Sequence, residues 1–344
     1  MKIALDVMGG DHAPQNNIGG VKLALEALPD LEKLYLVGTP GIVEAELERQ
    51  GISSPKIELV ASTQVVDMAD NGLAVVRGKK DSSMSVAARL VKDHECQAVV
   101  SAGHTGAAVT AGTLIIGRLP GVDFPGIASP MPNEHGTCYL IDAGANPDAK
   151  PNHLVQYAIM GSVYTRHLHG REKPIVGLMN IGEEEGKGHE LARESAVLLR
   201  EAPIHFRGNV EGHDIFETPL DVIVCDGFTG NVVLKTAEAT AKVVFKWVKA
   251  EMGAGSPLLK AWKGLGGAIV RPYLRKVKDK GSYDTYGGSP LLGIKGVLII
   301  AHGSSSPLAI MNAIRVAGES ISHKVNPHIE AAIQQYTATL SNQA

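Results

Sequence analysis

The sequence predicts an α/β fold: a doubly wound, mainly parallel sheet in a three-layer α/β/α arrangement. Two observations lead there. Six short apolar runs each stop at a glycine-rich polar turn, and helical patterns alternate with them along the chain. Runs that are apolar throughout suit strands buried on both faces, and strand-helix alternation implies right-handed crossovers between parallel strands. A turn at a strand's carboxyl end is where open α/β sheets place ligands, so one crevice collecting six turns is expected.

The first run, "IALDVMGGDHAP" (Ile3 to Pro14), is followed by a helical pattern from Gly20 to Leu28. Strands over Lys33 to Val37 and Lys56 to Val60 alternate with helices over Ile42 to Gln50 and Ser85 to Lys92. The second run, "AVVSAGHTGA", opens at Ala98. From there to Gly117 the chain carries no Asp, Glu, Lys or Arg, close to the ~20 residues a membrane span requires. Its Ser101, His104, Thr105, Thr110 and Thr113, with four glycines, instead suit a strand, a polar turn and a buried helix. The proline-spotted stretch from Gly117 to Pro132 reads as an irregular connection. "YLIDAGAN" from Tyr139 precedes a helix over His153 to Thr165, and "IVGLMNIGEEEGKG" from Ile175 precedes one over His189 to Glu201. "VIVCDGFTGN" from Val222 leads into a helix over Val232 to Lys249, and "VLIIAHGSSS" from Val297 is the sixth run.

With 344 residues, 44% of them hydrophobic, the chain can bury the core of one large α/β domain spanning 1–344. Cys96, Cys138 and Cys225 are far apart and lie in or beside apolar runs, which predicts free thiols in a reduced compartment. No charged-then-apolar leader precedes the first strand, so a cytoplasmic location is expected.

Charge is segregated. Residues 246–280 hold nine Lys or Arg against two acids, a net of +7, whereas the whole chain is −3 and the remainder therefore −10. Within that basic excursion Leu258, Trp262, Leu265 and Ile269 recur at helical spacing beside Leu259, with glycines breaking the run. An apolar hairpin tip ringed by Lys260, Lys263, Arg271 and Arg275 fits an anionic membrane surface or an acidic protein. Packing of the same apolar residues on the body or on a second subunit is the plainer alternative. Nucleic acid is not expected as a partner.

The turns supply the chemistry. Gly9, Gly10 and Asp11, after Asp6, suit an oxyanion held by backbone amides, and Ser101, Gly103, His104 and Thr105 form a second such cradle. Asp142 and Asn146, then Asn180, Glu183, Glu184 and Lys187, then Asp226, Asn231 and Lys235 crowd the next three turns. Asparagine and glycine amides can polarise a carbonyl whose oxygen gains charge, and lysines can neutralise phosphate. Capping of helices and shaping of turns is the structural alternative for these Asp and Asn residues. The sixth turn presents His302 and Ser304, but no G-x-S-x-G elbow marks a serine hydrolase. Neither a dinucleotide fingerprint nor a Walker lysine occurs, and no metal-ligand cassette is spaced for a metal site.

Taken in order, these turns resemble the bacterial phosphate acyltransferase (PlsX) family over nearly the full length. The resemblance also includes "RGKKDSSM" from Arg77, "FRGNVEGHDI" from Phe206 and "YGGSPLLG" from Tyr286. His104 stands where the family commonly has asparagine, and Ser289 where it has alanine. The resemblance implies a fold similar to phosphotransacetylase and isopropylmalate dehydrogenase. It also implies conversion of an acyl carrier protein thioester and inorganic phosphate to acyl phosphate without a cofactor, the first step of phospholipid synthesis. A homodimer at the membrane periphery is implied too, passing product to a membrane glycerol-3-phosphate acyltransferase.

Under that resemblance phosphate belongs at the first two turns, with Lys187 or Lys235 as countercharge. Asn180, Asn231 or backbone amides face the oxyanion, and His302 protonates the departing thiolate. The basic excursion meets the carrier protein and the membrane. Two other functions compete: a metal-dependent, NAD-linked dehydrogenase of the isopropylmalate type, and a non-catalytic membrane scaffold.

Overall fold

The computed structural model describes residues 1–67, 69–253 and 283–343. The chain runs through β1 (Lys2–Asp6), α1 (Gln15–Ala27), β2 (Lys33–Gly38), α2 (Pro40–Arg49), β3 (Ile57–Ala61), α3 (Ala74–Arg77), α4 (Ser83–Lys92), β4 (Ala98–Ser101) and α5 (Thr105–Ala111). After a π-helical turn at Gly112–Gly117 come β5 (Gly126–Ile127), β6 (Ser129–Asn133), β7 (Gly136–Ile141), α6 (Pro151–His169), β8 (Ile175–Met179) and α7 (Glu190–Glu201). They are followed by β9 (His205–Val210), α8 (Asp214–Glu217), β10 (Val222–Val224) and α9 (Gly227–Gly253). The last described stretch holds α10 (Tyr283–Tyr286), β11 (Ser289–Leu292), β12 (Val297–Ile300), α11 (Pro307–Ser322) and α12 (Val325–Gln343).

The α/β class and the mainly parallel pairing are as expected, but the strands form two sheets. Seven lie in the order β3-β2-β1-β4-β12-β11-β5 and five in the order β6-β7-β10-β8-β9. The division falls inside the stretch expected to be irregular. Gly117 to Pro132 supplies β5, an edge of the large sheet, and most of β6, an edge of the small one. Pro130 and Pro132 are tolerated there because an edge strand needs hydrogen-bond donors on one side only. Ser289 Oγ on β11 donates to Ser129 Oγ on β6 at 3.2 Å, tying the sheets where the chain passes between them.

Helices cover both faces of each sheet. Ile18 and Val21 of α1 and Ile310 and Ile314 of α11 pack on one face of the large sheet; Met84, Ala87 and Ala108 of α4 and α5 pack on the other. α6, α7 and α12 cover one face of the small sheet, while Ile215 of α8 and Val233 and Ala237 of α9 lie on its second. α1 and α11 meet closely because Gly20 has no side chain: a Cβ there would lie 2.5 Å from Ile310 Cβ. All three cysteines are free and buried, and burial pushes the Cys96 thiol up to about 12.

Of the basic excursion, only residues 246–253 are described, as the end of α9. Leu258, Leu259, Lys260, Trp262, Lys263, Arg271 and Arg275 lie outside the described residues. Among the described residues, no helix is long and apolar enough to cross a membrane.

Candidate active site

The six polar turns divide evenly, and each set of three sits on neighbouring strands. β1, β4 and β12 are adjacent and parallel in the large sheet, as are β7, β10 and β8 in the small one. Two carboxyl edges therefore build the site instead of one.

On the large sheet the turns after β1, β4 and β12 are in direct contact. Ser101 Oγ donates to Asp6 Oδ2 at 2.7 Å and accepts from Gly103 N at 3.1 Å. Gly9 leaves room for this pair: a Cβ on it would fall 2.7 Å from Asp6 Oδ2 and 2.8 Å from Gly103 N. Gly10, at φ 108°, occupies the left-handed region, and Asp11 N donates to Gly303 O at 2.8 Å. Asp6 is itself buried, and that burial raises its carboxyl pKa against the Ser83 and Ser101 hydroxyls and the Met8 and Gly9 amides. Its visible work is to lock two glycine turns together. His104 caps α5 through Nδ1, which accepts from Ala107 N at 3.1 Å, and Thr105 opens the helix in an exposed position.

On the small sheet Asp142 is the organiser. Its Oδ1 accepts from Ile127 N, Gly144 N and Ala145 N, and its Oδ2 accepts from Asn146 N at 2.6 Å. Burial nevertheless raises its carboxyl pKa, with those four amides opposing. Asn146 Nδ2 reaches His153 Nδ1 at 3.0 Å, and Asp226 caps α9 by accepting from Thr229 N at 2.9 Å. Asn231, one turn into α9, sits over Gly144.

Asn180 and Lys187 stand apart. Asn180 Nδ2 donates to Lys187 O at 3.1 Å, and Asn180 N donates to Val210 O at 2.8 Å, which fastens this turn to β9. Among the described residues, neither shares a hydrogen bond with the candidate residues of the other five turns; Lys187 N donates to Glu184 O of its own turn at 3.1 Å.

α9 bridges the two edges. It starts at the small sheet and carries Lys235 and Glu238 to the sixth turn, where Glu238 Oε2 lies 3.4 Å from Lys235 Nζ and 3.9 Å from His302 Nε2. His302 Nδ1 accepts from Ser304 N at 3.1 Å and lies 2.8 Å from Ser304 Oγ. Burial lowers the His302 pKa, with Lys235 and Lys242 adding to the effect and Glu238 and Asp11 opposing it.

Beside this turn opens a cavity of about 940 Å³, walled mainly by apolar side chains of α9, β6 and α8, with His302, Ser304 and Ser305 at its lining. It lies within the volume range typical of small-molecule sites, about 300 to 1,000 Å³. No group of three or more His, Cys, Asp or Glu able to hold a metal ion occurs among the described residues.

Comparison with known proteins assigns the chain to a family. A family model described as fatty acid synthesis protein matches residues 1–328. The phosphate acyltransferase of Akkermansia muciniphila is 50% identical over 336 residues, 96% of this chain and 95% of its own length. That of Desulfitobacterium hafniense strain Y51 is 46% identical over 339 residues, 98% of this chain and 99% of its own. The chain belongs to the phosphate acyltransferase family. It is an acyltransferase enzyme, which replaces both the dehydrogenase and the non-catalytic scaffold. A phosphotransacetylase from Streptococcus pyogenes shares the fold, with a TM-score of 0.61 at 15% identity, covering 93% of this chain and 94% of that one.

Two features of this acyltransferase are not among those expected from its sequence. The cavity wall draws on β6, read there as irregular, and on an α9 face whose Val233, Ala237 and Ala241 spacing was available as a signal. Glu238 was passed over because nothing local distinguishes it from a solvated helix acid. Of the two departures from the family pattern, His104 caps a helix as an asparagine would, and Ser289 makes the hydroxyl contact between the sheets.

Proposed function

We propose that this acyltransferase moves a long-chain acyl group from an acyl carrier protein thioester to inorganic phosphate, opening phosphatidic acid synthesis. The observation that carries the reading is the largely apolar cavity whose lining includes His302 and Ser304. Such a wall suits a hydrocarbon chain, each methylene contributing ~0.8 kcal/mol when buried.

A phosphate oxygen forms the new bond to the thioester carbonyl carbon, the carbon-sulfur bond breaks, and the thiolate leaves with the electron pair and then takes a proton. Phosphate is already anionic at neutral pH and a thiol of pKa about 8.5 leaves readily, so positioning and oxyanion stabilisation are the enzyme's main tasks. Phosphate is assigned to the Gly9-Gly10-Asp11 and Ser101 to Thr105 turns, with Lys235 nearby on α9 as countercharge. Asn231 or backbone amides face the oxyanion, and the His302 imidazolium donates the proton. Asn180 and Lys187 enter the reading only as a flank of the small-sheet edge.

Purified protein, carrier thioester and phosphate should yield an acyl phosphate that hydroxylamine traps. Thioester consumption without trapped product would overturn the reading. Homodimerisation and docking of residues 246–280 on anionic membranes and on the acidic carrier belong to the same proposal. Sedimentation tests the dimer, and unchanged vesicle binding by the Leu258→Glu, Trp262→Glu double variant would sink the membrane part.

A further inference from the structure

The wall of the acyl cavity contains an acid where a hydrocarbon surface is being built. Val233, Leu234, Ala237, Ala241 and Phe245 line it from α9, yet Glu238 stands among them with a side chain only 10% exposed. A carboxylate withdrawn from water in such a place is costly unless charged or polar partners meet it. Lys235 Nζ meets it at 3.4 Å from the preceding helical turn, and His302 Nε2 at 3.9 Å from the sixth strand-end turn.

The hydrogen bonds of His302 decide which nitrogen faces the acid. Nδ1 accepts from the Ser304 backbone N–H at 3.1 Å, so in the neutral ring the proton resides on Nε2. At 3.9 Å the Nε2 contact is an ion-pair distance, longer than a hydrogen bond, and it acts chiefly through charge.

We propose that Glu238 is a positioning residue: it turns the Nε2 edge of His302 toward the acyl cavity, and its charge beside that edge favours the imidazolium, whose added proton sits on Nδ1 beside Ser304 Oγ at 2.8 Å, further into the working pH range. Other charges face the imidazole too. Lys235 and Lys242 on α9 act against its protonation, and Asp11 from the first turn acts with Glu238. Asp284 of α10 also lines the cavity, where it accepts from Ser306 Oγ. Among the described residues, Glu238 is an acid within ion-pair range of the ring, at 3.9 Å from Nε2.

The catalytic arm of the proposal rests on His302 serving as proton donor; the electrostatic arm does not. Histidine titration by NMR on the full-length protein separates them. Glu238→Gln should lower the His302 titration midpoint by about one pH unit, and Lys235→Met should raise it. A purely structural role for Glu238 would not give shifts of opposite sign. In turnover assays Glu238→Gln should move the alkaline limb of kcat to lower pH by the same amount. The KM for phosphate should stay within about twofold, and Glu238→Asp should restore part of the shift. An unchanged His302 midpoint in Glu238→Gln overturns the proposal. Full kcat in His302→Ala at every pH would instead remove the proton-donor reading, leaving the NMR shift to judge Glu238.

Discussion

Gly9 stands where two glycine turns are pressed together, with no space for a methyl group between Asp6 Oδ2 and Gly103 N. Gly9→Ala should therefore part the turns and raise the KM for phosphate on the order of tenfold or more, read from initial rates at varied phosphate. The KM for thioester should change far less. Asp6 makes a different prediction. Its folded pKa is raised by burial above its unfolded value, so its contribution to stability is complete below about pH 4 and lost as pH rises through the folded pKa. Asp6→Asn lacks that titration. Its urea midpoint relative to wild type should move in the variant's favour between pH 4 and pH 7, and a constant gap would contradict the assignment. Residues such as Asp6, Gly9 and Ser101 were legible because they sit inside contiguous turn motifs. Glu238 was not, since its partner His302 arrives from a distant part of the chain and only the α9 register brings them face to face.

Among the elements, α1 and α11 show how packing reaches the site. Their contact runs over Gly20 and Ile310, and α11 begins directly after the His302 turn, capped by Ser306. Gly20→Val should push the helices apart and cost about 1–3 kcal/mol by urea denaturation, with turnover reduced as the sixth turn shifts. The strands carrying the six turns could be read from sequence because burial on both faces makes them apolar throughout, as in β1, β4 and β12. β5 and β6 escaped that reading. They are edge strands, one of two residues and the other with two prolines, so neither propensity nor periodicity marks them.

For the whole molecule, alternation of runs and helices specified the fold class, but nothing in it fixed how many sheets would share the runs. Sheet membership depends on strand order, which is settled by long-range pairing such as β4 with β12. The consequence for function is a site made from two edges and spanned by one long helix. Since α9 also walls the cavity, acyl-chain selectivity should be adjustable from it without touching either set of turns. Ala241→Phe should shorten the preferred chain, with kcat/KM falling about fourfold for each methylene that no longer fits. Assays across a series of thioester lengths measure this, and an unaltered preference would place the chain elsewhere.

The buried cysteines bear on how such a reaction can be watched. Cys96, Cys138 and Cys225 are the only thiols in the sequence, all three are shielded, and burial drives each toward the unreactive neutral form. The native enzyme should thus be silent to a thiol-reactive dye. Under the proposed reaction, colour that develops during turnover would come from the carrier's liberated pantetheine, one equivalent for each acyl group delivered. A burst of three equivalents from enzyme alone would show that this quiet background does not exist.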